Sequence, residues 1–389
     1  MKFSDITGHT QIINSLRSIA DSGTIPHALL FSGISGIGKF RTARAFAQYI
    51  HCKNRSNNDS CGECPSCLQH QKFNNPDTHF IYPILKKEGA LISKDMIDSW
   101  KEMLENNSYM APEKWNDLLK AGNSQPAIYV DESEALISRA SLSAFQEDLK
   151  IFIIWLPEKM RIEAANKILK VIEEPFEDTL FILVSNDDSK ILPTILSRTQ
   201  RFNFKPLDAD TIKNLLVKRG INNKVAGEAA SICEGSLEKA YEIASHPDEV
   251  IEFSSLFKDI MRSAYALNAK NLKDISETLA AFGREKIARF LKYMAKSVRD
   301  NYILNFNISG LVKMTTEESA FSSRFSPFIH EGNVEAIVNE IGRALRDVER
   351  NANSKIVLFD LMLLISRLVR KPKTTVLPFI EFNDDIYNI

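Results

Sequence analysis

The sequence predicts a three-layer α/β domain followed by helices alone, and two features indicate this. Short, nearly continuous apolar runs alternate with helical patterns over the first half, which is typical of a parallel sheet covered on both faces. The candidate strands are residues 28–32, 79–82, 128–130, 151–155, 180–185 and 202–204. Strand signals then stop at Asp208, and apolar residues recur at helical spacing. We expect an α/β domain at 1–206, a helical lid at 207–248 and an all-helical domain at 249–389.

Composition restricts the function classes. The 389 residues suffice for two or three domains, and 44% hydrophobic with 25% charged residues is typical of a soluble globular protein. Lys and Arg number 49 against 50 acidic residues, so no basic surplus indicates a dedicated nucleic-acid binder. The most apolar stretch, residues 356–369, is interrupted by Asp360 and Arg367 and is too short to span a bilayer. With no signal segment at the N-terminus, we expect a cytoplasmic protein.

The first strand leads into a glycine-rich turn that matches a phosphate loop. Gly33, Gly36 and Gly38 let backbone N–H groups turn inward, and Lys39 opens the next helix, expected over residues 39–50. The alternative is a strand–helix turn that resembles the motif by coincidence. The turn itself has two explanations: the fold needs it, or it still holds a phosphate or nucleotide without Mg²⁺.

The residue after the lysine departs from the motif. A Ser or Thr hydroxyl at that position binds Mg²⁺, and this chain has Phe40 there. Thr42 cannot replace it, because two residues correspond to about 200° around a helix. The sequence therefore predicts that ATP binding is doubtful and that Mg²⁺-dependent hydrolysis is lost.

Four of the five cysteines fall between residues 52 and 67, which indicates a metal site. Cys52, Cys61, Cys64 and Cys67 offer four thiolates, and two Cys-x2-Cys steps can wrap one ion. Tetrahedral, structural Zn²⁺ fits this pattern; reduced free thiols or an iron–sulfur centre are the alternatives. Cys233 is expected to be a core residue.

Residues 151–157 and 164–175 resemble the Walker B strand and the following helix of bacterial clamp-loader subunits, which belong to the AAA+ family. In ATP-hydrolysing members an Asp-Glu pair lies eleven and ten residues before the Asn that matches Asn166. The corresponding residues are Trp155 and Leu156, which can neither hold Mg²⁺ nor activate water. The nearby pair Asp131-Glu132 lies too far upstream to fit.

The resemblance extends to the lid and to a Ser-Arg-Cys-like segment. Residues 235–240 resemble the sensor-2 helix, where Glu238 replaces the arginine that touches the γ-phosphate. Asn186 matches the sensor-1 position. Arg198, in the segment Ser197-Arg198-Thr199, matches an arginine that reaches into a neighbouring subunit's ATP site. The alternative for Arg198 is an ordinary surface arginine.

With these departures, the chain resembles the delta-prime group of clamp-loader subunits. Members of this group also carry a zinc module after the phosphate-loop helix. The resemblance implies a P-loop AAA+ domain, a helical lid and a helical collar that assembles with gamma/tau and delta subunits. It implies an ATPase-deficient subunit of a DNA-directed DNA polymerase holoenzyme that helps load a sliding clamp on primed DNA. An ATP-hydrolysing gamma/tau-type motor and a non-replicative AAA+-like scaffold are the alternatives. Residues 86–125 are expected to form a surface insertion.

Overall fold

The computed structural model describes residues 1–86, 90–106, 109–121, 124–306, 312, 314 and 316–373. The chain divides into two compact units, Met1–Pro247 and Asp248–Ile389. The predicted subdivision at residues 206 and 207 stays a prediction. Among the described residues no helix is both long enough and apolar enough to cross a membrane.

The first unit contains a five-stranded sheet in which every strand pair is parallel. The strands are β1 (Ala28–Ser32), β2 (Thr78–Ile81), β3 (Lys150–Trp155), β4 (Thr179–Ser185) and β5 (Gln200–Asn203). Their order across the sheet is β2-β3-β4-β1-β5. Strand β1 therefore lies between β4 and β5, which come much later in the sequence. The phosphate loop follows β1 at the carboxyl edge of the sheet, where α/β proteins bind ligands.

Helices cover both faces of this sheet. Those of the first unit are α1 (Thr10–Asp21), α2 (Lys39–His51), α3 (Pro65–Gln71), α4 (Ile97–Asn106), α5 (Pro112–Leu118), α6 (Val130–Ala140), α7 (Ile162–Glu173), α8 (Pro193–Leu196), α9 (Ala209–Lys218), α10 (Asn223–Ile232) and α11 (Leu237–Ser245). Alternate strand residues enter two cores: Ile153 packs with the residues of α1 and α2, whereas Ile154 packs with those of α6 and α7. The three-layer α/β prediction is confirmed.

Helices α9 to α11 share a hydrophobic cluster of their own, which includes Ile212, Ala229 and Leu237. Side chains cap these helices: Asp208 accepts from Thr211 N at 2.7 Å, and Ser236 accepts from Lys239 N. We call residues 209–245 the helical subdomain.

The second unit is helical throughout its described residues. Its helices are α12 (Pro247–Tyr265), α13 (Ala269–Ala280), α14 (Arg284–Leu304), α15 (Thr316–Phe325), α16 (Val334–Glu349) and α17 (Ser354–Val369). The apolar faces of α14 and α16 form its core, with Phe290, Leu291 and Ile341 nearly inaccessible to solvent. The all-helical prediction is confirmed for these residues.

Two predictions about local structure are wrong. Residues 128–130 form no strand: Ile128 makes a single bridge to Met160, and Val130 begins α6. The amphipathic pattern after this short apolar run outweighs the run itself. The described part of residues 86–125 is also more than a surface insertion, because Trp100 and Trp115 lie fully buried in the core beside the sheet.

Candidate functional site: a filled phosphate loop, a thiol cluster and an exposed arginine

The phosphate loop has the backbone shape that the sequence predicts. Gly38 occupies the N-cap of α2 with φ of 98°, a left-handed conformation that glycine adopts readily. Gly36 is left-handed as well, and a Cβ there would lie 2.4 Å from Ser236 Oγ. The helical subdomain therefore approaches the loop so closely that only glycine fits.

Lys39 points into the loop instead of outward. Its Nζ donates hydrogen bonds to Gly33 O at 2.7 Å, to Ile34 O, and to Asn186 Oδ1 at 2.8 Å. Burial lowers the pKa of Lys39 to about 7, and the carboxylate of Glu158 opposes this shift. Because an ammonium has three protons, all its donors are used by the chain itself.

Neither residue near the Mg²⁺ position offers a free hydroxyl. Phe40 is buried, and its ring centroid lies 5.6 Å from that of Trp100 and 6.0 Å from that of Phe80. Thr42 Oγ1 donates to Gly38 O at 3.0 Å, within the first turn of α2. The residue at the position of the metal-binding hydroxyl therefore packs against other aromatic rings.

The end of β3 is equally apolar. Trp155 and Leu156 are both buried, and the Trp155 ring lies 5.4 Å from that of Trp100. Leu156 adopts a left-handed conformation with φ of 59°. The acidic pair upstream lies on α6, where Asp131 pairs with Lys86 at 2.6 Å and Glu132 accepts from Ser93.

One carboxylate near the loop was missed by sequence reasoning. Glu158 accepts hydrogen bonds from Ser185 Oγ at 2.9 Å and Asn186 N at 3.0 Å. Burial raises its pKa, while these hydrogen bonds and Lys39 act in the opposite direction. The only sequence signal was an acid two residues beyond Leu156, and that position is outside the Asp-Glu pair of the motif.

The start of α11 closes the loop from the other side. Gly36 O accepts from Leu237 N at 3.1 Å and from Glu238 N at 3.4 Å. The Glu238 carboxylate lies 3.9 Å from Lys114 Nζ. Burial raises the pKa of Glu238 to about 7, and Lys114 opposes the shift. Glu238 therefore occupies the position at which the sensor-2 helix would carry a phosphate-binding arginine.

The space left at the mouth of the loop is small. A cavity of about 20 Å³ is lined by Lys39, Phe40, Tyr109, Met110, Trp155 and Asn186. This volume suits about one water molecule. Phe40, Trp155 and Leu156 therefore offer no ligand for Mg²⁺, and Lys39 is engaged by acceptors of its own chain.

The four clustered cysteines meet at the opposite end of α2. Cys52 follows the helix, and Cys64 is the N-cap of α3. The Sγ atoms of Cys52, Cys61, Cys64 and Cys67 all lie within 4.8 Å of one another. The Sγ separations are 3.6 Å between Cys52 and Cys61 and 3.9 Å between Cys61 and Cys67. Four thiols at such distances can surround one tetrahedral ion with sulfur bonds of about 2.3 Å.

Backbone N–H groups prepare one of these thiols for ionisation. Cys61 Sγ accepts from Glu63 N at 3.4 Å and Cys64 N at 3.3 Å, and these bonds lower its pKa to about 6. Burial raises the pKa of Cys52 and of Cys67. A cation bound between them would offset that cost, since metals bind thiolates. Cys233 lies in the core of the helical subdomain, as expected.

Arg198 lies at the surface just beyond α8. Its Nη2 atom lies 2.8 Å from Glu173 Oε1, and its Nη1 donates to Thr194 O at 3.0 Å. The side chain is 38% exposed, so solvent reaches the ion pair. The structure thus places Arg198 away from the residues that line the phosphate loop, while Asn186 joins Lys39 there.

Strand order, phosphate loop and helical subdomain define a P-loop protein of the AAA+ class. Residues 8–208 match the model of a family described as "DNA polymerase III, delta subunit". Since this match covers more than half of the chain, the protein belongs to that family of clamp-loader-related subunits.

Individual relatives are more distant. The chain is 26% identical to the Bacillus subtilis DNA polymerase III subunit delta' over 242 residues, covering 62% of this chain and 60% of that one. It is 28% identical to DNA polymerase III subunit gamma/tau of Mycobacterium tuberculosis H37Rv over 216 residues. That match covers 56% of this chain, and the chain spans only 31% of the length of this relative. A Thermotoga maritima DNA polymerase III gamma subunit-related structure aligns with a TM-score of 0.38 at 14% identity, covering 92% of this chain and 99% of that one.

Proposed function

We propose that this chain is a delta-prime-like clamp-loader subunit of the DNA polymerase III holoenzyme that hydrolyses no ATP itself. It acts with gamma/tau and delta subunits, in the cytoplasm, to place a sliding clamp on primed DNA. Family membership and the delta' and gamma/tau relatives support the assembly. The second unit is the proposed collar through which the subunits associate.

The observation that carries the proposal is the engaged lysine. Lys39 donates to three acceptors of its own chain, so binding a phosphate requires breaking these bonds. Phe40, Trp155 and Leu156 add no ligand for a metal or water. With Glu238 in place of the sensor-2 arginine, the site has four departures from the ATP-hydrolysing pattern, and intrinsic turnover has no physical basis.

Arg198 is the proposed catalytic residue in trans. Its guanidinium is exposed, and its partner Glu173 is equally accessible at 37%. An exposed ion pair contributes only about 0.2–1 kcal/mol. A neighbouring γ-phosphate, with more charge and bidentate geometry, displaces the carboxylate at small cost. The side chain can then neutralise charge that develops on that phosphate.

Zn²⁺ bound by Cys52, Cys61, Cys64 and Cys67 is the proposed structural cofactor. The clustered thiols fit four-cysteine coordination, which leaves no open position for catalysis. The ion would join the end of α2 to α3 and stabilise that loop.

The decisive experiment measures steady-state ATPase of the reconstituted loader with clamp and primed DNA. Arg198→Ala should leave assembly intact and lower the rate partially, because only the site facing this subunit loses a cation. Arg198→Lys should restore little, since an ammonium lacks the planar guanidinium fork. Arg201→Ala, a nearby exposed arginine on β5, is the matched control and should leave the rate unchanged.

Other outcomes point to the alternatives. Equal ATPase rates in a complete complex would reduce Arg198 to a surface residue. Mg²⁺-dependent hydrolysis by the isolated chain, abolished by Lys39→Ala, would favour a gamma/tau-type motor. Failure to co-purify with either gamma/tau or the clamp would favour a scaffold outside replication.

A further inference from the structure

Residues 109–118, which lie within the family match, pack between the core beside the sheet and the phosphate loop. We infer that they are the permanent occupant of this chain's own nucleotide cleft and tie the helical subdomain to the phosphate loop. The inference rests on the proposed loss of ATP chemistry and is independent of clamp loading.

The segment is anchored in the core on one side. Helix α5 carries Trp115, whose Nε1 donates to Pro83 O at 2.7 Å. The Trp115 ring packs edge-on to Tyr82 and Trp100, each with a centroid separation of 5.3 Å. Since all three rings are fully buried, the position of α5 is fixed by the core beside the sheet.

Tyr109 joins the phosphate-loop helix to the helical subdomain. Its ring belongs to the hydrophobic cluster of α9 to α11 and stacks on Tyr241 at 6.1 Å. On α2, the guanidinium of Arg41 lies 5.0 Å from the Tyr109 ring centroid, within cation–π range. One aromatic side chain therefore contacts both elements that flank the cleft.

Met110 and Lys114 complete the closure. Met110 is 7% exposed and lines the small cavity together with Lys39, Phe40 and Asn186. The cavity lies at the N-terminus of α2 and the carboxyl ends of β3 and β4, where P-loop proteins hold phosphate. Lys114 approaches Glu238 at the start of α11. The segment thus occupies the phosphate end of the cleft and contacts its opposite wall.

A bound nucleotide could bridge the loop and the helical subdomain in the same way. Here the bridge is covalently part of the chain, so its effective concentration does not depend on ligand. Tyr109 and Lys114 therefore hold the helical subdomain against the phosphate loop without a bound ligand.

Two measurements on the full chain test this inference. Wild-type protein titrated with fluorescent ADP and ATP, with and without Mg²⁺, should show no binding up to about 100 μM. A dissociation constant below that value would overturn the inference. This titration needs no variant, so it holds even if a substituted protein fails to fold.

The second measurement is amide hydrogen exchange of the double variant Tyr109→Ala/Met110→Ala. Amides of α9 and α11 should exchange at least about tenfold faster than in wild type, while β1 and β4 keep their protection. Phe145→Ala, which removes an aromatic 85% exposed in the same unit, is the control and should change neither. Unchanged exchange in α9 and α11 would overturn the inference. Because neither readout involves a partner subunit, failure of the clamp-loader proposal is detected separately.

Discussion

The two ends of helix α2 carry two sites of opposite character. At its N-terminus the phosphate loop keeps its backbone shape, yet Lys39 donates its hydrogen bonds to acceptors of its own chain. A cavity of only about 20 Å³ lies beside this lysine. At its C-terminus Cys52 meets three other thiols, and the contacts among them are sulfur–sulfur distances of 3.6 and 3.9 Å. Lys39 is satisfied by hydrogen bonds within the chain, whereas the four thiols lie where one cation could bind them all.

The phosphate loop has kept the backbone shape of its motif, whereas the cysteine cluster has kept groups that can bind an ion. A loop keeps its glycines when neighbouring segments pack against it, as Ser236 packs against Gly36. Clustered thiols, in contrast, gain little from one another, and a bound cation offsets the desolvation cost of their ionisation.

The largest expected effect is at the cysteine end. Wild-type protein prepared without chelator should contain about one Zn²⁺ per chain, and Cys64→Ser should lose it. The unfolding temperature should fall by roughly 10 °C or more, because metal binding energy is folding energy. Elemental analysis and thermal unfolding measure both, and Cys233→Ala, outside the cluster, should keep the metal. Metal-free wild-type protein would contradict the assignment.

At the other end, Phe40→Thr restores the motif hydroxyl but should restore no hydrolysis. Trp155 and Leu156 still hold neither metal nor water, and a buried aromatic contact is lost. We expect destabilisation of about 3 kcal/mol in chemical denaturation and background phosphate release. Mg²⁺-dependent turnover in this variant would show that the cleft is not filled as described.

A smaller effect concerns the charge of Lys39. Burial lowers its pKa to about 7, so between that pH and its usual value the unfolded chain binds more protons than the folded one. Stability should therefore rise with pH across this window. Relative to Lys39→Met, wild type should gain about 2 kcal/mol between roughly pH 6.5 and pH 9, measured by denaturant titration. If the free energies of unfolding of the two proteins varied with pH in the same way, the pKa of Lys39 would not be lowered in the folded state.

The smallest effect concerns Glu238, whose pKa burial raises to about 7. Between its usual value and that pH the folded chain binds more protons, so stability from this group is lost as pH rises. Glu238→Gln should therefore be more stable than wild type at about pH 8 by roughly 1 kcal/mol, and not at about pH 4.5. Glu228→Gln, which replaces an exposed acid on α10 that is not among the charges shifting the pKa of Glu238, is the control and should show no such dependence.

The sequence was sufficient wherever the signal is local. Apolar strands such as Leu180–Ser185, the loop glycines and the two Cys-x2-Cys steps each depend on spacing within a few residues. The strand expected at residues 128–130 is wrong because three apolar residues do not distinguish a strand from the start of a helix. The amphipathic pattern that follows the run favours helix α6, which begins at Val130.

The contacts that fill the cleft depend on long-range packing. Tyr109 reaches Tyr241, and Lys39 reaches Asn186, across more than a hundred residues of sequence. Nothing near Tyr109 marks it as part of the core of another subdomain. Likewise, the pairing of Arg198 with Glu173 follows from the position of α7 beside α8, which no motif contains.

The bend at Leu156 has a consequence for protein engineering. A left-handed backbone costs a residue with a Cβ roughly 1–2 kcal/mol, whereas glycine adopts it without that cost and asparagine at less cost than leucine. Leu156 is nevertheless buried, and its N donates to Val184 O at 2.9 Å, so the turn is held by the sheet. Asparagine would relieve part of this backbone cost but lose about 2–5 kcal/mol of apolar burial, so libraries screened for heat resistance should retain leucine here. The packing of Leu156 thus offsets the free-energy cost of its left-handed backbone.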